Sequence, residues 1–223
     1  LYSVDGEYKP YEVLAKSASV APDGMSIEIK LKSGIVWHDN SAFSADDVVY
    51  TVKNIIAGSA NVKRPAISDI VKTSGDSVKI IFSRPVINAR SMLDFPIVKS
   101  GTPFSADISY IPVGTGKYRY GGKVSVDSYK FEPFNMYHGQ AASEGFELTA
   151  VDSWENELQM FKSGETDVFF ADDNQTISAA NGKTKTIDEP SDKLVYLGIN
   201  FKNPLFSGKN TRNALEKIID KNA

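Results

Sequence analysis

Cysteine is absent from the 223 residues, which excludes disulfides, thiolate metal sites and cysteine nucleophiles. That absence fits an exported protein that folds without disulfides, and it fits a cytosolic one as well. Histidine is nearly absent too, with only His38 and His138. Neither has a second histidine or a glutamate at metal-ligand spacing, so no zinc site made by this chain alone is expected, and both read as surface or turn residues. No apolar run approaches the ~20 residues that span a bilayer. The first residues lack the pattern of a signal peptide, so any export signal or lipid anchor is expected outside the chain. Charge of one sign is lacking as well, with 25 Lys and Arg against 28 Asp and Glu and a net charge of -3. There is no basic stripe for nucleic acid and no polybasic cluster for anionic lipid. Internal repeats and low-complexity segments are missing.

What remains is a chain of 41% hydrophobic residues, long enough to bury a core in one or two domains. Met25 to Leu31 alternates apolar and polar residues with the period of a half-buried strand, after a turn signal at Asp23-Gly24. Trp37-His38-Asp39-Asn40 follows. Ser44-Ala45-Asp46-Asp47 then opens a helix, with Ser44 placed to accept from a first-turn N–H and both aspartates at the positive end of the dipole. Val48, Val52, Ile55 and Ile56 form its apolar stripe. Ser77 to Phe82 reads as a second strand, closed by Ser83-Arg84-Pro85-Val86. Further on, Tyr129 to Glu132 and Phe146 to Val151 read as strands, Trp154 to Lys162 as a helix and Asp167 to Phe170 as a strand. A strand, helix and strand in succession predict a crossover unit of an α/β sheet.

Five stretches, in this order, resemble the bacterial extracellular solute-binding proteins of family 5, the capture components of peptide and nickel ABC importers. They are the strand, tryptophan turn and capped helix of Tyr11 to Val52; the strand and proline of Ser77 to Val86; Pro112-Val113-Gly114-Thr115-Gly116-Lys117-Tyr118; Phe161-Lys162-Ser163-Gly164-Glu165-Thr166-Asp167-Val168; and Gly198-Ile199-Asn200 through Asp220-Lys221. Asn40 stands where the family's W-x-D-G has glycine, and asparagine tolerates positive φ. Lys117 stands where the family's turn has a second proline, which frees φ and adds a donor.

The resemblance implies a mixed α+β chain of the α/β class: one lobe of a type II periplasmic-binding-protein fold with an inserted accessory domain, the second lobe being absent. The implied divisions are an accessory domain over 1–97, the main α/β part of the first lobe over 98–196, and the crossover into a truncated second lobe over 197–223. Such a chain is a half-clamp, and its last ~20 residues are expected to be mobile or to pack on a neighbour.

Other chemistries fit less well. Gly114-Thr115-Gly116-Lys117 lacks the upstream glycine of a phosphate loop and has Tyr118 where a magnesium ligand belongs. The pairs Asp46-Asp47 and Asp172-Asp173 could serve acid–base catalysis, but adjacent side chains point different ways and the first pair already has a capping role. Asn174-Gln175-Thr176 is a chance sequon. Trp37 and Trp154 could stack on a ligand, and core packing is the preferred reading for both.

Ligands of α/β sheets sit beyond the carboxyl ends of strands, near helix N-termini. That rule selects Asp152-Ser153, Ala171-Asp172 and the segment Tyr196 to Asn200, with Ser153, Asp172, Tyr196 and Asn200 as contacts, and the resemblance adds Phe95. The implied function is an extracytoplasmic, non-enzymatic binding protein without a cofactor. It would be a monomer in the full-length protein, capturing a peptide or a nickel chelate by lobe closure and delivering it to an ABC permease in the membrane. A ligand-sensing domain of a regulatory protein, a carbohydrate-active enzyme and an interaction module are the rival classes.

Overall fold

In the computed structural model the described residues are 1–56, 66–103, 111, 113–171, 178, 180, 184–187 and 198–218. The chain divides into two compact units, Leu1–Thr186 and Ile187–Ala223.

The first unit begins with a short antiparallel pair, β1 (Tyr2–Val4) and β2 (Pro10–Glu12). Four antiparallel strands follow: β3 (Ala15–Val20), β4 (Ser26–Leu31), β5 (Ile67–Ser74) and β6 (Ser77–Phe82), in the spatial order β3-β4-β6-β5. The alternation read in the sequence becomes a buried face. Ile27, Ile29 and Leu31 of β4 lie against Val78, Ile80 and Phe82 of β6, with Ile27 opposite Ile80 and Ile29 opposite Val78. Helix α1 (Ala45–Thr51) covers that face with Ala45, Val48 and the following Val52. Beyond Thr51 the helix widens into a π turn, Val52–Ile56. Burial of one such branched side chain contributes about 1.5–3 kcal/mol, so this layer is the main source of stability in the unit.

The expected cap of α1 is present. The Ser44 hydroxyl accepts from Asp46 N–H, and Asp47 reaches back to the Ser44 N–H at 2.8 Å, completing a capping box. Asn40 adopts φ 66°, the conformation for which asparagine substitutes for glycine. Trp37 is fully buried, as expected of a core residue.

A second sheet, β7 (Tyr118–Lys123), β8 (Ser128–Pro133) and β9 (Phe146–Thr149), is antiparallel in sequence order. One face is aromatic. Phe131 stacks on Phe146 at 4.9 Å and 13°, and Tyr118 meets Phe146 edge-on at 4.8 Å. Helix α2 (Trp154–Ser163) follows, capped by Ser153 and stopped by Gly164 at φ 79°.

Two expectations fail here. Asp167 to Phe170 is not a strand, so the crossover unit lacks its second strand among the described residues. Val168 and Phe170 are 73% and 84% exposed, and the Phe170 N–H donates to a Glu157 carboxylate, so this apolar run has no ladder to join. Trp154 is 56% exposed, not core. It is the first helical residue, where a side chain leans back past the N-terminus and away from the helix's packed face.

The second unit contains α3 (Pro204–Ser207) and α4 (Lys209–Ile218). Asn203 caps α3 through its side-chain oxygen and Pro204 occupies the first turn. Arg212 of α4 donates to the carbonyls of Phe206 and Ser207, each at 2.8 Å, and lies 4.6 Å from the Phe201 ring centre. Neither helix has a buried residue among those described.

Candidate functional site

The sheet–helix connection after β9 carries a concavity. Ser153 is in extended backbone, and its hydroxyl accepts from the Asn156 N–H at 3.3 Å. One residue earlier, Asp152 accepts from the Asn156 carboxamide at 2.7 Å. These two bonds fix the start of α2 and turn the helix face bearing Asn156, Gln159 and Met160 toward the turn that holds Asp127. Between them lies an open groove of about 610 Å³, lined by Asp127, Asp152, Asn156, Gln159, Met160 and Glu165 among others. It brings carboxylate and carboxamide groups together with the Met160 side chain, so hydrogen-bond donors and acceptors face an open space. Glu165 is steadied by the Ser163 hydroxyl at 3.1 Å.

The other expected contacts lie elsewhere. Phe95 is partly buried and packs on the core under the four-stranded sheet. Asn200 belongs to the second unit, where its side-chain oxygen accepts from the Lys202 N–H at 3.0 Å and its carbonyl from the Asn203 N–H. Asp172 and Tyr196 lie outside the described residues. Ser153 itself shapes the groove by capping, while its neighbour Asp152 lines it.

A set of residues whose long-range contacts the sequence does not show holds the path from Phe95 toward the second sheet. Helix α1 grips the segment 98–102 with three side chains. Thr51 accepts from the Val98 N–H at 3.0 Å and donates toward the Val98 and Asp47 carbonyls; Asp47 accepts from the Ser100 N–H at 2.8 Å; Tyr50 donates to the Thr102 carbonyl at 2.6 Å. Asp47 is 4% exposed and also accepts from the Trp37 indole at 3.3 Å. It therefore joins the tryptophan turn, the helix cap and the connecting segment in one carboxylate. All its contacts come from donors, which is the arrangement that keeps a buried carboxylate solvated by the protein. The capping-box spacing of Ser44 and Asp47 was a signal for the cap; the reach to Trp37 and Ser100 needed the fold.

Beside it, Asp39 pairs with Lys99 and accepts from the Ser41 hydroxyl and N–H. The Lys99 ammonium first, then Ser41, holds the Asp39 carboxyl down to about 2. Among the described residues no group of three or more His, Asp or Glu side chains could hold a metal ion. No helix among them is long and apolar enough to cross a membrane.

The sequence profile described as bacterial extracellular solute-binding proteins, family 5 Middle, matches residues 9–223. The glutathione-binding protein GsiB of Pectobacterium atrosepticum and its counterpart in Escherichia coli K12 are each 25% identical over 236 residues, covering 100% of this chain and 46% of their own length. The chain thus spans under half the length of these curated relatives. Among solved structures, NikZ from Campylobacter jejuni in complex with Ni(L-His) aligns with a TM-score of 0.66 at 20% identity, covering 74% of this chain and 36% of that one. The oligopeptide-binding protein AppA from Bacillus subtilis in complex with a nonapeptide aligns with a TM-score of 0.62 at 18% identity and the same shares. At such identities the likeness carries the fold alone. That fold is the type II periplasmic-binding-protein fold, the expected class.

Proposed function

The chain belongs to the bacterial extracellular solute-binding proteins of family 5, and from that premise we propose that it supplies one face of a ligand clamp that captures a peptide or a nickel chelate for an ABC importer. The observation that carries this reading is the match over residues 9–223 together with a groove beyond the carboxyl end of β9. The relatives' own ligands span the proposed range: glutathione for GsiB, Ni(L-His) for NikZ, a nonapeptide for AppA. Membership of that family supports reading the whole protein as an extracytoplasmic binding protein and not an enzyme.

In the proposed mechanism, residues 1–97 are the accessory domain, 98–196 the main part of the first lobe and 197–223 the crossover into the second. Ligand contacts come from Phe95, Ser153, Asp172, Tyr196 and Asn200, and the Asn156 and Gln159 carboxamides offer donors and acceptors to a ligand backbone. Hydrogen bonds to main-chain groups give affinity without reading side chains, which suits a carrier of varied peptides. A ligand that bridges the two lobes stabilises the closed state only by its differential affinity for it. The closed state would dock on the membrane permease, as a monomer.

The test is a thermal-shift and calorimetric screen of this chain extended to the full length of its relatives, with the 223-residue chain alongside. Tripeptides, glutathione and nickel–histidine are the probes. One class raises the midpoint of the extended protein by several degrees and leaves the 223-residue chain within error. Equal stabilisation of both, or of neither by any probe, contradicts the half-clamp.

A further inference from the structure

His38 lies in the tryptophan turn and is half-buried, with three hydrogen bonds running from it to the turn at residues 113–117. Its backbone N–H donates to the Gly114 carbonyl at 2.8 Å. The Gly114 N–H donates to the ring Nδ1 at 3.2 Å. The ring Nε2 lies 3.0 Å from the Gly116 carbonyl oxygen. A backbone N–H can only donate and a carbonyl can only accept, so the two ring contacts together fix the tautomer: a lone pair on Nδ1 and the proton on Nε2. The ring is further held edge-on against Phe134 at 5.0 Å, and Phe134 in turn donates its N–H to the Lys117 carbonyl. The backbone passes close to the ring at Gly114, where a Cβ would stand 3.2 Å from the His38 Cε1 and would press on it.

We propose that His38 is a proton-sensitive latch that holds the 113–117 turn to the tryptophan turn and lets it go when the imidazole takes up a second proton. That proton has one place to go, Nδ1, where it meets the Gly114 N–H head-on and replaces a hydrogen bond by a repulsion. Histidine is the side chain type whose charge ordinarily changes between pH 5 and 8, which is the window in which the latch is tested. The charged groups of the packed elements do not offset the new charge. Asp39, on the same turn, is paired with Lys99 and Ser41; Asp47 of α1 is committed to Trp37, Ser44 and Ser100; Lys117, on the held turn, is a cation; and Phe134 brings no charge. The sign is therefore release on acidification. The turn leads directly into β7, so its release frees the entry of the three-stranded sheet from the tryptophan turn without touching the buried strands β4 and β6.

Amide exchange on the 223-residue chain, corrected for intrinsic rates, tests the latch at pH 8 and pH 5. The Gly114 amide is expected to lose at least tenfold more protection on acidification than the amides of β6, which report global opening. In His38→Asn, whose side-chain oxygen can accept from the Gly114 N–H but takes up no proton in this range, the Gly114 protection is expected to be independent of pH. Long-range nitrogen–proton spectra of the unsubstituted chain at pH 8 are expected to show the Nε2–H tautomer, a readout that stands whether or not the variant folds. Protection at Gly114 that follows β6 at both pH values, or an Nδ1–H tautomer at pH 8, would overturn the proposal.

Discussion

Two antiparallel sheets in one unit solve the same problem differently. In the sheet β3-β4-β6-β5, the face bearing Ile27, Ile29, Val78, Ile80 and Phe82 is almost wholly withdrawn from water beneath α1. In the sheet β7-β8-β9, the corresponding face is made of larger, aromatic side chains, yet Phe146 and Leu148 remain 45% and 54% exposed. The first sheet is held by aliphatic burial and the second by rings contacting one another across its strands. Alternation alone does not tell these apart, because it records which side chains share a face and not what covers that face. The contrast also separates the packed region from the candidate groove. The covered sheet anchors α1, whose side chains grip 98–102, while the groove lies at the less covered end, after β9.

The comparison is broken most directly by placing a charge on each face. Ile29→Lys, at a fully buried position, is expected to cost more than about 4 kcal/mol and to leave no cooperative urea transition. Leu148→Lys on the open face is expected to cost under about 1 kcal/mol. Equal costs would mean that the second face is covered as well as the first.

The carboxylate that joins the two regions gives the next largest effect. Asp47→Ala strands the buried Trp37 indole and the part-buried Ser44 and Ser100 N–H donors and is expected to cost about 3 kcal/mol by denaturant titration. Its neighbour Asp46, exposed and 2.7 Å from Lys72, is expected to cost under about 1 kcal/mol when changed to asparagine. Should the two substitutions prove equivalent, Asp47 is a cap and nothing more.

Ser153→Ala removes the cap of α2 and is expected to cost about 1 kcal/mol, read as faster amide exchange in Glu155–Glu157. Smallest is a pH effect. The Asp39 carboxyl is lowered to about 2, so the stability it contributes is present above the ordinary aspartate value and is lost as pH falls through about 2. Because the pair is well exposed, screening leaves well under about 1 kcal/mol. Lys99→Met is expected to flatten the difference in stability between pH 5 and pH 2 by that amount; an unchanged difference would remove Lys99 as the cause.

Much of the covered sheet was legible in the sequence. The strand ending at Leu31, the strand Ser77–Phe82, the cap at Ser44 and the positive φ at Asn40 all follow from local patterns, and the structure has them. The readings that failed depend on what lies across space. Asp167 to Phe170 is apolar enough for a strand but has no ladder beside it, and Trp154 is large enough for a core but stands at the first turn of its helix. Of the ligand contacts, the rule about strand ends led to Asp152 and Ser153, beside the groove, while Asn156 and Gln159 entered only once the helix face was known. Asp47 and His38 were each noticed for a local role, capping or turn. Their long-range partners, Ser100 in one case and Gly114 with Gly116 in the other, are 53 and 76 to 78 residues away, beyond any local pattern.

Hydrogen exchange on the protein extended to its relatives' length, with and without the ligand found by calorimetry, tests the central claim most directly. The account predicts new protection at Phe95, at Asp152–Asn156 and at Tyr196–Asn200, with the amides of β4 and β6 unchanged. Protection confined to residues outside these segments would contradict it, and the groove after β9 would then be a packing surface and not part of a ligand clamp.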